Sequence, residues 1–437
     1  MKSLSKKVAN AEASQTLALT AIAKQMKADG IDVVSLTAGE PDFPTPAHIK
    51  RAAMQAIEEN FTKYTVNAGI LELRSAIADK LRRDNQIFVE PSQILVSNGA
   101  KHSIFNALQA ICNKNDEVIV PSPYWVSYPE AVKLVDAVPV IVRTTEKTDF
   151  KITPSQLKRA ITRKTKALIL CSPSNPTGSV YTQQELEAIG EIVRTTGIYV
   201  IADEIYEKVI YDGAKHFSLG SIPMIKDLVI TVNGVSKAYS MTGWRIGYLA
   251  AAKPIVEAAE KVQSQVTSAP CSISQRAAAA AISGPEEEVH LMTAEFRSRR
   301  DFMLRALQQM EGLACTKPHG AFYLFPNVSA LYGASFNGKK IRSGDDVTQF
   351  LLEECRVVTV PGSGFGAKNN IRLSYACSKE ELQKAAERMA EGVSQKPTDM
   401  TQPLVRSTSS RALWNPFCCG TELATLFRQS WMASSNL

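Results

Sequence analysis

From residue 94 to about 250 the chain alternates between short runs rich in Val and Ile and longer stretches with helical apolar spacing. The apolar runs are 94–96, 117–120, 138–142, 167–170, 199–202, 228–232 and 247–251; the helical stretches fall near 101–112, 124–134, 154–161, 182–195 and 206–209. Unbroken β-branched runs mark strands buried on both faces, and intervening helices mark crossovers. The pattern therefore predicts an α/β fold: a mostly parallel sheet flanked by helices on both sides. In such sheets ligands gather at the carboxyl ends of the strands.

Outside this region, residues 12–30 carry Leu17, Ile22 and Met26 at helical spacing and stop at Gly30, and 33–36 reads as a short strand. A proline-rich stretch to residue 46 precedes helices expected at 47–60 and 70–84. A long Ala-rich helical region is expected over 253–283 and a further helix over 286–311. Strands near 321–325, 356–359 and 371–375 with helices near 344–355 and 378–392 predict a smaller α+β unit. The expected organisation is thus an N-terminal segment (1–46) joining the small domain, a large domain (47–285), a small C-terminal domain (286–394) and a disordered tail (395–437). Within that tail a short amphipathic helix is conceivable at 421–432.

At 437 residues, 45% hydrophobic and 21% charged, the chain has the composition of a globular protein with a large core. The net charge of +7 is spread along the sequence without a basic block, so no nucleic-acid partner is expected. No apolar run reaches the ~18 residues of a membrane span, and no membrane association is expected. The 8 cysteines show neither CxxC spacing nor a metal-ligand pattern with the 5 histidines, so reduced thiols and no metal are expected. The N-terminus lacks a signal-peptide core; the expected location is cytoplasmic, or an organelle interior if a presequence is missing.

The chemistry centres on Thr231–Gly247, where an apolar run gives way to small polar residues around Lys237, with Arg245 eight positions on between Gly243 and Gly247. A desolvated Lys amine can be neutral and nucleophilic, suited to forming an imine with a carbonyl. An Arg offers a fixed fork of donors for phosphate. An imine-forming Lys with a phosphate clamp points to pyridoxal 5′-phosphate. Asp203, at the end of the run 199–202, could reach a pyridine nitrogen, and Tyr206, one helical turn on, could donate to a ring phenolate. Asn175, in Ser172–Gly178, could donate to the same oxygen, and its bond to Pro176 is a candidate cis peptide. Ser97, Asn98, Gly99, Ala100 and Lys101 put small residues at a helix start, where backbone N–H groups face an anion. Trp125 could stack on a planar ring, and Arg372, inside an apolar strand, needs an anionic partner such as a substrate carboxylate. Each feature alone has an ordinary explanation as a turn, cap or core contact; their joint order along one sheet does not.

These residues resemble the class I aminotransferases of fold type I, which depend on pyridoxal phosphate. The likeness runs from about residue 10 to 393, on the motifs A-G-E-P-D-F (38–43), N-P-T-G (175–178), D-E-I-Y (203–206) and S-K-x-x-x-M-T-G-W-R-I-G (236–247). Within that family the chain looks like the gamma branch of aspartate aminotransferases. Residues 170–181, 97–101 and 122–128 are especially similar to members that also use prephenate.

The resemblance implies that Lys237 holds the cofactor and shuttles a proton, that Asp203 pairs with the pyridine nitrogen, and that Tyr206 and Asn175 attend the phenolate. It implies that Gly99, Ala100, Lys101, Ser236 and Arg245 line the phosphate region, and that Trp125 flanks the ring. Tyr64 would reach in from a second subunit of a homodimer with shared active sites. Gly39 and Arg372 would hold the α-carboxylate end of the substrate, with Trp125 and Asn175 beside it. Lys101 and Thr16 are associated in this branch with the distal carboxylate. The expected activity moves an amino group between aspartate or glutamate and oxaloacetate, 2-oxoglutarate or prephenate. An aromatic- or alanine-type aminotransferase, a lyase on the same fold and a cofactor-fold regulator are the competing readings; no added basic N-terminal domain supports the last.

Overall fold

The computed structural model of the chain describes residues 4–9, 11–12, 15–336 and 339–394. The tail from 395 onward, with the helix considered at 421–432, lies outside the described residues. In chain order the strands are β1 (Val34–Ser35), β2 (Ile94–Ser97), β3 (Glu117–Ser122), β4 (Val138–Arg143), β5 (Thr165–Cys171), β6 (Tyr199–Asp203), β7 (Val229–Gly234) and β8 (Gly247–Ala250). There follow β9 (Tyr323–Leu324), β10 (Ser335–Phe336), β11 (Lys339–Lys340), β12 (Val357–Val358), β13 (Val360–Pro361) and β14 (Ile371–Ser374).

Seven strands form the central sheet in the order β2-β8-β7-β6-β5-β3-β4. All run parallel except β8, which is antiparallel to both β2 and β7. Because side chains alternate along a strand, each strand feeds two cores. Val118, Val120, Ala167, Ile169, Ile201 and Val232 pack on the side of the helices Ala100–Ile111, Ser127–Leu134 and Lys253–Val266. Ile119, Leu168, Leu170, Val200 and Ala202 pack on the opposite side against Pro154–Ala160 and Gln183–Thr196. Under β2 and β8 that second face is covered by Ala47–Glu58, Leu71–Asn85 and Ser272–Ser283. This is the mixed, mostly parallel α/β architecture of fold type I.

A smaller sheet, β13-β14-β9, lies with the helices Glu287–Gln308, Gly344–Glu353 and Lys379–Ser394. The N-terminal strand β1 pairs in parallel with β12, Val34 opposite Val357.

Two expected elements differ. The segment 206–209 is a set of turns rather than a helix. Its backbone groups bond outward to a distant segment: Ala321 N donates to Val209 O and Tyr211 N to His319 O, so tertiary pairing replaces the helical ladder. The region 253–283 is two helices, Lys253–Val266 and Ser272–Ser283, divided around Pro270, whose ring has no N–H to give. Among the described residues no helix is long and apolar enough to cross a membrane, and the six cysteines are free.

Candidate active site

A cavity of about 350 Å³ opens at the carboxyl ends of β3, β5, β6 and β7, where each strand hands over to a polar loop. Tyr323 and Arg372 close it from the small sheet, and Thr16, Leu17, Thr20 and Ala38–Glu40 close it from the N-terminal segment.

Lys237 follows β7 in a tight turn and points into this space, donating to Gly39 O at 2.5 Å. Burial lowers its amine to about 8, against the opposing pull of Glu40. Asp203 ends β6 and is 3% exposed. Its Oδ2 accepts from the Tyr128 hydroxyl at 2.6 Å and its Oδ1 from Ile205 N at 3.2 Å. Burial lifts this carboxyl to about 6, with the Tyr128 and Ile205 hydrogen bonds working in the other direction. An acid raised and an amine lowered in one cavity are the signature of groups kept from full neutralisation.

Gly99 caps the helix Ala100–Ile111 with φ 86°. A Cβ there would stand 2.3 Å from Arg245 Nη2, so only glycine lets the guanidinium settle over this helix N-terminus. Arg245 donates to Thr242 O at 2.8 Å and to Asn98 O at 3.3 Å, which aims its charge along the same edge of the cavity. Gly247 on β8 comes so close that a Cβ would meet Ala100 N at 2.2 Å.

At another wall Arg372, 2% exposed, donates to Asn175 Oδ1 at 3.1 Å and to Thr37 O at 2.9 Å. Its Nε is buried without a partner. The Tyr323 ring covers the guanidinium at 4.5 Å, and Tyr206 and Tyr323 share a hydroxyl–hydroxyl bond of 2.8 Å. Lys101 lies with its ammonium 4.9 Å over the Trp125 ring. Its side chain reaches solvent through the cavity, yet the crowding of protein atoms and the nearby Arg245 lower its pKa.

Twelve residues picked out in the sequence line this one cavity: Thr16, Gly39, Ala100, Lys101, Trp125, Asn175, Asp203, Tyr206, Ser236, Lys237, Arg245 and Arg372. Gly99 lies just behind, beneath Arg245. Tyr64 does not reach the cavity of its own chain and is 99% exposed. The Asn175–Pro176 bond is cis, as are Ser122–Pro123 and Ser172–Pro173, which the sequence did not single out. Tyr128, Tyr323, Cys171 and Glu40 were also missed as lining residues. Glu40 sits inside a quoted motif, and Tyr128 and Cys171 inside the quoted runs 122–128 and 170–181; Tyr323 carried no local signal.

A family profile described as aminotransferase class I and II matches residues 31–389. The chain is 50% identical over 387 residues to an aspartate aminotransferase of Geobacillus stearothermophilus, covering 88% of this chain and 98% of that protein. It is 48% identical over 392 residues to a bifunctional aspartate aminotransferase and glutamate/aspartate-prephenate aminotransferase of Petunia hybrida, covering 89% and 82%. The solved aspartate aminotransferase from Thermus thermophilus with maleate superposes with a TM-score of 0.85 at 42% identity, covering 90% of this chain and all (100%) of that one.

Proposed function

The chain belongs to the class I and II aminotransferases, whose cofactor is pyridoxal 5′-phosphate, and on that premise we propose that it transfers the amino group of aspartate or glutamate to oxaloacetate, 2-oxoglutarate or prephenate. One observation carries the substrate class: Arg372 and Lys101, from separate elements, line the same cavity as Lys237, two cations besides the Arg245 that suits the phosphate. A dicarboxylic substrate has two anionic groups to satisfy, and a monocarboxylic one has only one.

Three features support the fit of the cofactor. The helix N-terminus at Gly99–Ala100, with Arg245 over it, suits a phosphate. Burial brings the Lys237 amine down to about 8, and Asp203 offers a buried carboxylate to a ring nitrogen. When bound, pyridoxal phosphate supplies an aldehyde that takes up the amino group and a ring that draws electrons from the carbon losing its proton. Lys237 Nζ would accept and return that proton, because burial brings its pKa down toward neutrality. Tyr206 and Asn175 would attend the phenolate side, Trp125 would flank the ring, and Ser236 would join the phosphate region. Arg372, with its unpaired Nε, would take the α-carboxylate beside Gly39, and Lys101 with Thr16 the distal one.

We keep the division into a large domain (47–285) and a small domain (286–394) joined by residues 1–46, and a cytoplasmic or organelle-interior location. Exposure of Tyr64 together with Val66 and Leu71 supports a homodimer in which this loop completes the neighbour's site. Turnover should be measured over a panel of amino donors and oxo acids that includes prephenate. Preference for alanine or phenylalanine over aspartate and glutamate would overturn the substrate class, and sedimentation as a fully active monomer would overturn the shared site.

A further inference from the structure

Tyr128 has no part in the roles given above, yet its hydroxyl makes the one side-chain hydrogen bond that Asp203 receives among the described residues. It stands in the helix Ser127–Leu134 after β3, 3% exposed, with its ring packed among Val132, Ala167 and Ile169 and edge-on to Trp125 at 5.4 Å and 86°. The same carboxylate takes Ile205 N on its other oxygen. Each oxygen thus has one protein donor, which fixes the plane of the carboxylate and leaves its remaining lone pairs for the cavity it lines.

Of the groups facing Asp203, Tyr128, the Ile205 N–H and Lys237 favour its ionised form, while burial and Glu204 oppose it. Cys171, on the adjacent strand, is a neutral thiol pushed up to about 12 by burial. Burial and the neighbouring Asp203 hold the Tyr128 phenol well above its ordinary value, so it remains a donor across the working range. A phenol buried for packing alone would be served equally well by phenylalanine; this one ends on a charged acceptor at 2.6 Å.

We propose that Tyr128 is a positioning residue that holds the Asp203 carboxylate in the orientation and charge state from which it pairs with the ring nitrogen of the cofactor, and thereby sets cofactor affinity. The inference rests on the cofactor reading above, and its test separates the two. Apo-protein is titrated with pyridoxal phosphate and with the analogue in which the ring nitrogen is replaced by CH, each followed by equilibrium dialysis and visible absorbance. Tyr128→Phe should weaken pyridoxal phosphate binding about 10- to 100-fold, the size of a lost hydrogen bond to a charged group, and leave the analogue within about twofold. In an Asp203→Ala background the same substitution should have no further effect. Equal losses for both ligands, or an undiminished loss without Asp203, would overturn the proposal; failure of the wild type to bind pyridoxal phosphate would overturn the cofactor reading instead. Infrared titration of Asp203 in apo-protein supplies a second handle that does not depend on how well Tyr128→Phe folds. Replacing Tyr128 with 3-fluorotyrosine keeps the ring and makes the phenol a stronger donor, and should move the Asp203 midpoint down. A midpoint that stays in place overturns the proposal.

Discussion

One turn, residues 203–207, supplies two buried polar regions with opposite character. Asp203 and Tyr206 face the cavity; Glu204 and Glu207 face a closed network behind it. There Lys80, 3% exposed, pairs with Glu207 and donates to Asn85 Oδ1 at 2.6 Å. Asn85 Nδ2 donates to Glu207 Oε2 at 2.7 Å, and Glu204 Oε2 accepts from Ser218 at 2.7 Å and pairs with His216 at 3.0 Å. Glu204, Glu207 and His216 bring ligand atoms within 4.8 Å of one another, and the Lys80 ammonium already stands against this group as its cation. Burial alone would raise Glu207, but Lys80 and His216 outweigh it and hold the carboxyl at about 2. In the cavity the balance is reversed: Asp203 rises to about 6, Lys237 falls to about 8, and Arg372 Nε has no partner. Buried charge is tolerated when paired and costly when not. The network spends its charges on each other and holds the turn; the cavity leaves its charges partly unmatched for a ligand to complete.

The largest expected difference between the two regions is in catalysis. Lys237→Ala should lower kcat by ~10⁴-fold or more, the upper range for losing a positioned acid–base group, while the protein stays folded and still holds pyridoxal phosphate noncovalently. Borohydride reduction should fix the cofactor on Lys237 in the wild type; label on another lysine would break the assignment. Lys80→Met should do the opposite. It strands Glu207 beside Glu204 and should cost about 3–5 kcal/mol in denaturant unfolding of apo-protein. Adding Glu207→Met should recover much of that loss, and a Lys80→Met protein as stable as wild type would erase the contrast.

Lys101→Ala sharpens the picture within the cavity. It should cost roughly 2–4 kcal/mol in kcat/KM for aspartate and prephenate and much less for alanine or phenylalanine. Equal losses in both substrate classes would reassign Lys101 to the cofactor. The smallest effect concerns pH. Asp203 has a folded pKa above its unfolded value near 4, so apo-protein should lose stability as pH rises from about 4 to 6, by on the order of 1–2 kcal/mol. Glu207 has a folded pKa below its unfolded value, so its contribution is present above about pH 4.3 and fades as pH falls through about 2. Asp203→Asn should flatten the first slope and Glu207→Gln the second; identical profiles for both variants would refute opposite signs on one turn.

The sequence by itself carried most of the sheet, because seven short apolar runs, most of them rich in Val and Ile and separated by helical spacings, leave little freedom in element type. It also pointed to Lys237, Asp203, Asn175 and Arg245, which the structure brings to one cavity, because each lies in a short polar segment just after an apolar run. It misjudged 206–209, where local spacing favours a helix but the backbone pairs with residues 319–321. It passed over Tyr128, 75 residues before Asp203, and Tyr323, 117 residues after Tyr206. It also gave no hint that Lys80 would meet Glu207, 127 positions away. Local propensity and periodicity act over a few residues, so they choose elements and turns. Which hydroxyl reaches which carboxylate, and which charges are paired or left open, depends on how strands stack and loops return, and only the tertiary structure decided that.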